Sequence, residues 1–131
     1  MSVSSLKTAT QLVAEAKQHI ENLSPEQFDA EIARGGVVVV DIREPDERSQ
    51  TGTISGAVHA PRGMLEFYAD PTSPYHRQEF APSQRTLLYC ASGGRSALAV
   101  AALQQLGYSS IAHLDGGLKA WSASGREVSR A

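Results

Sequence analysis

The pattern of apolar and polar residues along the chain predicts helices alternating with short strands. Apolar residues recur three or four positions apart between Leu6 and Ile20, which is the spacing of a helix with one apolar face. We expect this helix to pack on the domain, although a helix that binds a partner has the same pattern. Residues 24–27 combine a serine N-cap, a first-turn proline and a capping-box glutamine. They predict a second helix, over about 25–34, that ends at Gly35.

Further apolar segments have the composition of buried strands. The β-branched segment 37–42 is typical of a strand covered on both faces, and segments 57–60, 86–89 and 111–114 are shorter examples. Helices are predicted for a turn near 63–69, for 96–106 and for a last segment that contains Trp121. This alternation is typical of an α/β fold with a mainly parallel sheet and helices on both faces. The excursion 62–83 has no predicted role.

Length and composition indicate one soluble domain. The chain has 131 residues, 41% of them hydrophobic and 20% charged, which is enough apolar material for a core. We predict an N-terminal helical extension over 1–23, the α/β domain over 24–125 and a frayed tail over 126–131. A net charge of −2 argues against a nucleic-acid partner. The sequence shows neither a membrane span nor a signal peptide, so we expect a cytoplasmic protein that does not bind a membrane.

Cys90 is the only cysteine, and this limits the chemistry that the chain can perform. One cysteine excludes an internal disulfide and a zinc site built from several thiolates. The four histidines show no ligand spacing, so neither a metal nor another cofactor is expected. If Cys90 is a nucleophile, a molecule outside this chain must regenerate its sulfur.

The segment Cys90-Ala91-Ser92-Gly93-Gly94-Arg95-Ser96 lies between a predicted strand and a predicted helix. Ligand sites of parallel sheets form at this edge. The two glycines allow backbone N–H groups to turn inward as an anion-binding nest, and the helix N-terminus and arginine add positive charge. A thiol in such surroundings can ionise near neutral pH.

Each feature of this segment also has a purely structural interpretation. A cysteine at a strand end is often a small buried hydrophobic residue, and a Gly-Gly pair is often only a turn. Their adjacency favours a functional site.

Four motifs, in order, resemble those of single-domain rhodaneses, which are sulfurtransferases. Residues 90–96 resemble the family's active-site loop, residues 39–44 its strand with an Asp-x-Arg-Glu ending, and residues 52–57 its Gly-His-Ile-x-Gly-Ala element. Residues 114–121 resemble its closing Gly-Gly-x-x-x-Trp segment. Thr53 stands in place of the usual histidine. That histidine is generally structural in the family, so we expect a local change in structure and no loss of activity.

The resemblance implies a two-step transfer through Cys90. Its thiolate would attack the outer sulfur of a donor such as thiosulfate, and cyanide or a thiol would then remove that sulfur from the persulfide. A small molecule or a protein persulfide would serve as donor, and the sequence does not identify which. The loop residues 91–96 would surround the persulfide. Ser92 would either donate a hydrogen bond from its hydroxyl to the persulfide or simply be a small residue that fits the loop.

Several polar residues are candidates for supporting roles. Arg95 either attracts an anionic donor or braces the loop against a carboxylate such as Glu44, and we favour the brace. We expect Asp41 and Arg43 to organise neighbouring loops. Arg62 follows a strand and would attract an anionic donor at the same sheet edge.

Two alternatives stay open at this point. Cysteine phosphatases and arsenate reductases of a related fold hold an oxyanion over a thiolate, but their loops resemble Cys-x5-Arg, one residue longer than Cys90-x4-Arg95. A non-catalytic rhodanese-like binding or regulatory module is the other alternative, although such domains often lack the cysteine. The oligomeric state is also open, because the N-terminal helix has an apolar face that would suit a dimer.

Overall fold

The computed structural model describes residues 6–130, which form five strands and six α-helices. The strands are β1 (Glu21–Leu23), β2 (Val37–Asp41), β3 (Val58–His59), β4 (Arg85–Tyr89) and β5 (Ile111–Leu114). The α-helices are α1 (Ala9–Lys17), α2 (Pro25–Arg34), α3 (Pro45–Thr51), α4 (Leu65–Ala69), α5 (Gly94–Gln105) and α6 (Gly117–Ala123), and a short 3-10 helix covers Arg62–Met64. None of these helices has the length and apolar character needed to cross a membrane.

The strands form one sheet in the order β1-β5-β4-β2-β3, and all the neighbouring pairs are parallel. The predicted α/β fold with a parallel sheet is therefore confirmed. Strand β4 lies at the centre, so the segment that follows Tyr89 leaves the carboxyl edge of the sheet with strands on both sides. This is the edge where parallel sheets form their ligand sites.

Helices cover both faces of the sheet because side chains of a strand point alternately to either side. Val40 and Leu88 belong to one apolar cluster, which includes residues of α4 and α5. Val39 and Leu87 belong to the other cluster, which includes residues of α2 and α6. Strands buried on both faces account for the continuous apolar segments of the sequence.

The N-terminal region differs from the single long helix expected over 6–20. Helix α1 begins after the N-cap Thr8, ends at Lys17 and packs against α5, as expected for a helix that covers the domain. The chain then forms β1, which pairs with β5. Three residues are too few to show a periodic pattern, so the sequence did not reveal this edge strand. Helix α3 was missed as well, because its seven residues are almost all polar.

The C-terminal segment does not fray within the described residues. Ser129 and Thr53 exchange two backbone hydrogen bonds of 2.7 Å each, forming an antiparallel bridge. The indole N–H of Trp121 donates to the Glu127 carbonyl at 2.9 Å, and Arg126 pairs with Asp29 at 2.9 Å. The expectation of a frayed tail is therefore wrong up to residue 130. Its anchors lie on other parts of the chain, which no local signal reveals.

Candidate active site

Cys90 occupies the turn between the central strand β4 and helix α5, and its side chain is only 1% exposed. The backbone N–H groups of Gly93 and Ser96 both donate to its sulfur, at 3.1 Å and 3.4 Å. Gly93 is the N-cap of α5 and has no side chain with which to cap the helix. The Cys90 sulfur accepts these otherwise unpaired N–H groups instead, so the helix N-terminus points its positive end at the sulfur.

The first turn of α6 holds this loop from the other side. The N–H groups of Leu118 and Lys119 donate to the carbonyls of Cys90 and Ala91, at 2.9 Å and 3.0 Å. Gly117 makes the approach possible, because a Cβ atom there would lie 2.5 Å from the Ala91 carbonyl carbon and oxygen. Its φ of +64° also favours glycine. Gly117 therefore allows α6 to pack closely against the Cys90 loop, in addition to beginning the helix.

Arg95 braces the loop, although not against the expected residue. Its guanidinium contacts the Glu47 carboxylate at 2.7 Å and 2.8 Å, whereas we expected a residue such as Glu44. Glu47 lies in the first turn of α3, three residues after Glu44, which is the N-cap of that helix. The hydrogen bonds from Arg95 lower the pKa of Glu47 to about 2, against a smaller opposing effect of burial.

Asp41 and Arg43 form a buried ion pair at the carboxyl end of β2. Arg43 is 1% exposed, and its guanidinium contacts both Asp41 carboxylate oxygens, at 3.0 Å and 2.8 Å. It also donates to Thr51 Oγ1 and the Gly52 carbonyl at the end of α3. Burial by itself would raise the pKa of Asp41, but the hydrogen bonds and charge of Arg43 lower it overall. The pair ties β2 to the segment that carries Glu47.

A pocket of about 330 Å³ opens beside the loop. Its lining residues are Arg43, Thr51, Ala91, Ser92, Leu118, Lys119 and Ser122. Ser92 is exposed at this pocket, and so is Lys119, which forms no ion pair with any residue between 6 and 130. The guanidinium of Arg62 pairs with Glu66 at 2.7 Å, and Arg62 is not among the residues that line this pocket.

Comparison with known proteins identifies the family. A family model for the rhodanese-like domain matches residues 24–124. The chain belongs to the rhodanese-like family. This rhodanese-like protein is 35% identical over 108 residues to a sulfurtransferase of Allochromatium vinosum, covering 82% of this chain and 89% of that protein. It is 34% identical over 103 residues to the thiosulfate sulfurtransferase GlpE of Ectopseudomonas mendocina, covering 79% and 85% of the two chains.

A solved structure resembles this rhodanese-like protein over nearly its full length. A Rhodopseudomonas palustris protein of unknown function, named as a possible tyrosine phosphatase, superposes with a TM-score of 0.88 and 37% identity over 98% of both chains. The two curated relatives from Allochromatium vinosum and Ectopseudomonas mendocina are both named as sulfurtransferases. This protein is therefore a member of the rhodanese-like sulfurtransferase family.

The structure also brings to Cys90 a histidine that the sequence did not connect with it. Ser96 Oγ lies 3.5 Å from Cys90 Sγ and 2.7 Å from His113 Nδ1. The ring Nε2 lies 2.8 Å from Asn22 Oδ1. His113 is fully buried, and burial lowers its pKa to about 4. A buried polar residue in strand β5 looks like any other strand position in the sequence, so no local signal marked His113.

Proposed function

We propose that the protein transfers a sulfane sulfur through a persulfide on Cys90. The Cys90 thiolate attacks the outer sulfur of thiosulfate, the sulfur–sulfur bond of the donor breaks, and sulfite leaves with the bonding electron pair. Cyanide or a thiolate then attacks the outer sulfur of the Cys90 persulfide, which forms thiocyanate or a new persulfide and regenerates the Cys90 thiolate. No oxidant or resolving cysteine is needed, in agreement with the single cysteine of the chain.

One observation carries the proposal. The sulfur of Cys90 accepts two backbone N–H groups at the start of a twelve-residue helix. Such fixed donors stabilise negative charge on sulfur without having to reorganise during the reaction. The carbonyls of Cys90 and Ala91 accept backbone N–H groups of α6. The turn therefore presents donors to the sulfur, which suits a thiolate nucleophile and a persulfide anion.

The pocket beside the loop supports an anionic donor. Arg43 lies in its wall, and its guanidinium pairs with Asp41, whose Oδ2 also lies 3.4 Å from Arg48 Nε. Lys119 provides a cation that is not paired with a carboxylate within the described chain. A dianion such as thiosulfate would approach Cys90 from this side, with its sulfonate group toward Lys119 and its outer sulfur toward the thiolate.

Phosphate-ester hydrolysis is less well supported, although the similar Rhodopseudomonas palustris protein is named as a possible tyrosine phosphatase. A phosphatase needs its loop arginine to contact the oxyanion. Here the Arg95 guanidinium is engaged by both oxygens of Glu47. The loop is also one residue shorter than the Cys-x5-Arg pattern. Both features favour a site for a sulfur atom over a site for a tetrahedral oxyanion.

The decisive experiment is intact mass spectrometry of the reduced protein after thiosulfate and again after cyanide. We expect a gain of one sulfur atom that cyanide removes, and no gain in Cys90→Ser. A gain with another donor only, such as mercaptopyruvate or a protein persulfide, would keep the mechanism and change the substrate. Folded protein that gains sulfur from no donor would contradict the proposal and favour a binding module. Turnover of an aryl phosphate that depends on Cys90 would favour the phosphatase.

A further inference from the structure

A continuous chain of hydrogen bonds leads from the Cys90 sulfur to the edge of the sheet. It passes from Cys90 Sγ to Ser96 Oγ at 3.5 Å, to His113 Nδ1 at 2.7 Å and from Nε2 to Asn22 Oδ1 at 2.8 Å. Cys90, Ser96 and His113 are at most 1% exposed, whereas Asn22 lies at the surface on strand β1. The four residues lie in the turn after β4, in α5, in β5 and in β1, so the hydrogen-bond chain forms only when these parts of the fold are packed together.

The hydrogen-bond partners of Asn22 determine which nitrogen of the His113 ring carries its hydrogen. The Asn22 amide nitrogen donates to the carbonyls of Lys17 and Ile20, at 2.9 Å and 3.2 Å, so its oxygen faces His113. That oxygen can only accept, and His113 must therefore carry its hydrogen on Nε2. Nδ1 then accepts the Ser96 hydroxyl hydrogen at 2.7 Å, a shorter contact than the 3.3 Å from Ser96 Oγ to the Gly93 carbonyl. The Ser96 oxygen in turn accepts the Cys90 thiol.

We propose that His113 is a positioning residue that receives, through Ser96, the proton that Cys90 gives up when it becomes a nucleophile. The thiol proton moves from Sγ to Ser96 Oγ as the hydroxyl proton moves from Oγ to His113 Nδ1. The products are a thiolate and an imidazolium, with no net change in protons or charge. This role rests on the proposed function of Cys90 as a nucleophile.

The proton transfer changes the hydrogen bonds around the sulfur so that they stabilise the thiolate. Before it, Ser96 presents a lone pair to the sulfur. After it, the Ser96 hydroxyl becomes a third donor to the thiolate, beside the N–H groups of Gly93 and Ser96. The positive charge on His113 lies within about 6 Å of the negative sulfur, a range at which opposite charges in a protein interior stabilise each other.

The charged groups around His113 explain why the transfer depends on Cys90. Burial is the main cause that lowers the pKa of His113, the Lys17 ammonium lowers it as well, and the Asp115 carboxylate partly opposes them. Lys17 and Asp115 pair with each other at 2.7 Å, which leaves little net charge near the ring. His113 is therefore neutral at neutral pH while Cys90 carries its proton. The Cys90 thiolate is the charge that can favour the protonated ring.

The proposal is tested by the pH profile of Cys90 alkylation, which needs no sulfur donor. The rate of iodoacetamide reaction is measured from pH 5 to 10 for the full chain and for Ser96→Ala, His113→Asn and the control His76→Asn. Asparagine at 113 retains an acceptor for the Ser96 hydroxyl but takes up no proton. We expect Ser96→Ala and His113→Asn to move the profile up by about one pH unit, with alkylation roughly tenfold slower at pH 6. His76→Asn should match the unmodified sequence.

A profile unchanged in His113→Asn would overturn the proposal, since a hydrogen-bond acceptor would then be sufficient. If that variant does not fold, ¹⁵N NMR of the histidine rings in the unmutated protein replaces it. We expect His113 to be more protonated at pH 6 before alkylation of Cys90 than after it, and an unchanged ring would equally contradict the proposal. The mass experiment reports separately on sulfur transfer: persulfide formation with no shift in the alkylation profile rejects the proton transfer alone.

Discussion

The Arg95 guanidinium and the Glu47 carboxylate face each other with two contacts, NH1 to Oε1 at 2.7 Å and NH2 to Oε2 at 2.8 Å. The pair joins the start of α5, directly after the Cys90 loop, to α3. Both side chains are partly exposed, so the pair contributes little to global stability. Its two-point geometry instead restrains the position of the loop.

Loss of this brace should lower turnover more than it lowers donor affinity. We expect Arg95→Met and Glu47→Gln each to reduce kcat for sulfur transfer from thiosulfate to cyanide by roughly tenfold, because small displacements of reacting groups are costly. KM for thiosulfate should change less than threefold, and the double variant should be no worse than either single variant. Steady-state kinetics of the four proteins provides the test.

The opposite pattern would show that Arg95 attracts the donor directly. In that case Arg95→Met would raise KM for thiosulfate, whereas Glu47→Gln would free the guanidinium and lower KM. Salt dependence distinguishes the two roles further, since attraction of a dianion weakens with ionic strength and a short two-point contact weakens much less.

Gly117 should tolerate no larger residue. A methyl group there would lie 2.5 Å from the Ala91 carbonyl, in addition to the strain of an alanine at φ +64°. We expect Gly117→Ala to destabilise the fold by about 3 kcal/mol or more, combining backbone strain with overpacking. Gly107→Ala is the matched control, because it has φ +100° and nothing within 4 Å of the added methyl group. Gly107→Ala should lower the free energy of unfolding by the backbone strain alone, about 1–2 kcal/mol. Equal losses in urea unfolding would contradict the predicted close approach.

The buried Asp41–Arg43 pair should make the stability of the fold sensitive to acid. Since Arg43 lowers the folded-state pKa of Asp41 below its ordinary value of 3.8, its contribution is complete above about pH 4 and is lost as the pH falls through the folded value. We expect Asp41→Asn to lower the free energy of unfolding at pH 7 by about 3–5 kcal/mol, because Arg43 is then buried without a counter-charge. The variant should also lose part of the acid sensitivity.

Urea unfolding at pH 7 and at pH 3 checks both effects. Asp29→Asn is the control, since Asp29 forms its ion pair with Arg126 while 47% exposed. A loss of stability in Asp41→Asn no larger than that of the control would contradict the stabilising role of the buried pair.

Lys119 should determine affinity for an anionic donor. We expect Lys119→Gln to raise KM for thiosulfate about three- to tenfold with kcat nearly unchanged, because one cation contributes modestly at a solvated pocket. The effect should shrink at 0.5 M salt, where exposed charges are screened. Lys7→Gln, a change at an exposed lysine paired with Glu15, is the control for net charge. A kcat effect without a KM effect would instead place Lys119 in loop positioning.

The sequence predicted those features that depend on neighbouring residues. The β-branched segment predicted strand β2, and the capping residues predicted helix α2. Both elements formed as expected. The loop from Cys90 to Ser96 was recognisable because the thiol, the glycines and the helix start are adjacent in the chain. Elements without such signals, the three-residue strand β1 and the polar helix α3, were missed.

The partners of the site residues, in contrast, were decided by the tertiary structure. Glu47 is 48 residues from Arg95, and Asn22 is 91 residues from His113. Hydrogen-bond partners separated in this way are selected by strand order and helix packing, which no local pattern encodes. The sequence by itself determined that a single thiol stands at the head of a helix on a parallel sheet. The fold decided which groups brace the loop of that thiol and which histidine is linked to it through Ser96, because those contacts exist only once the separate elements are packed together.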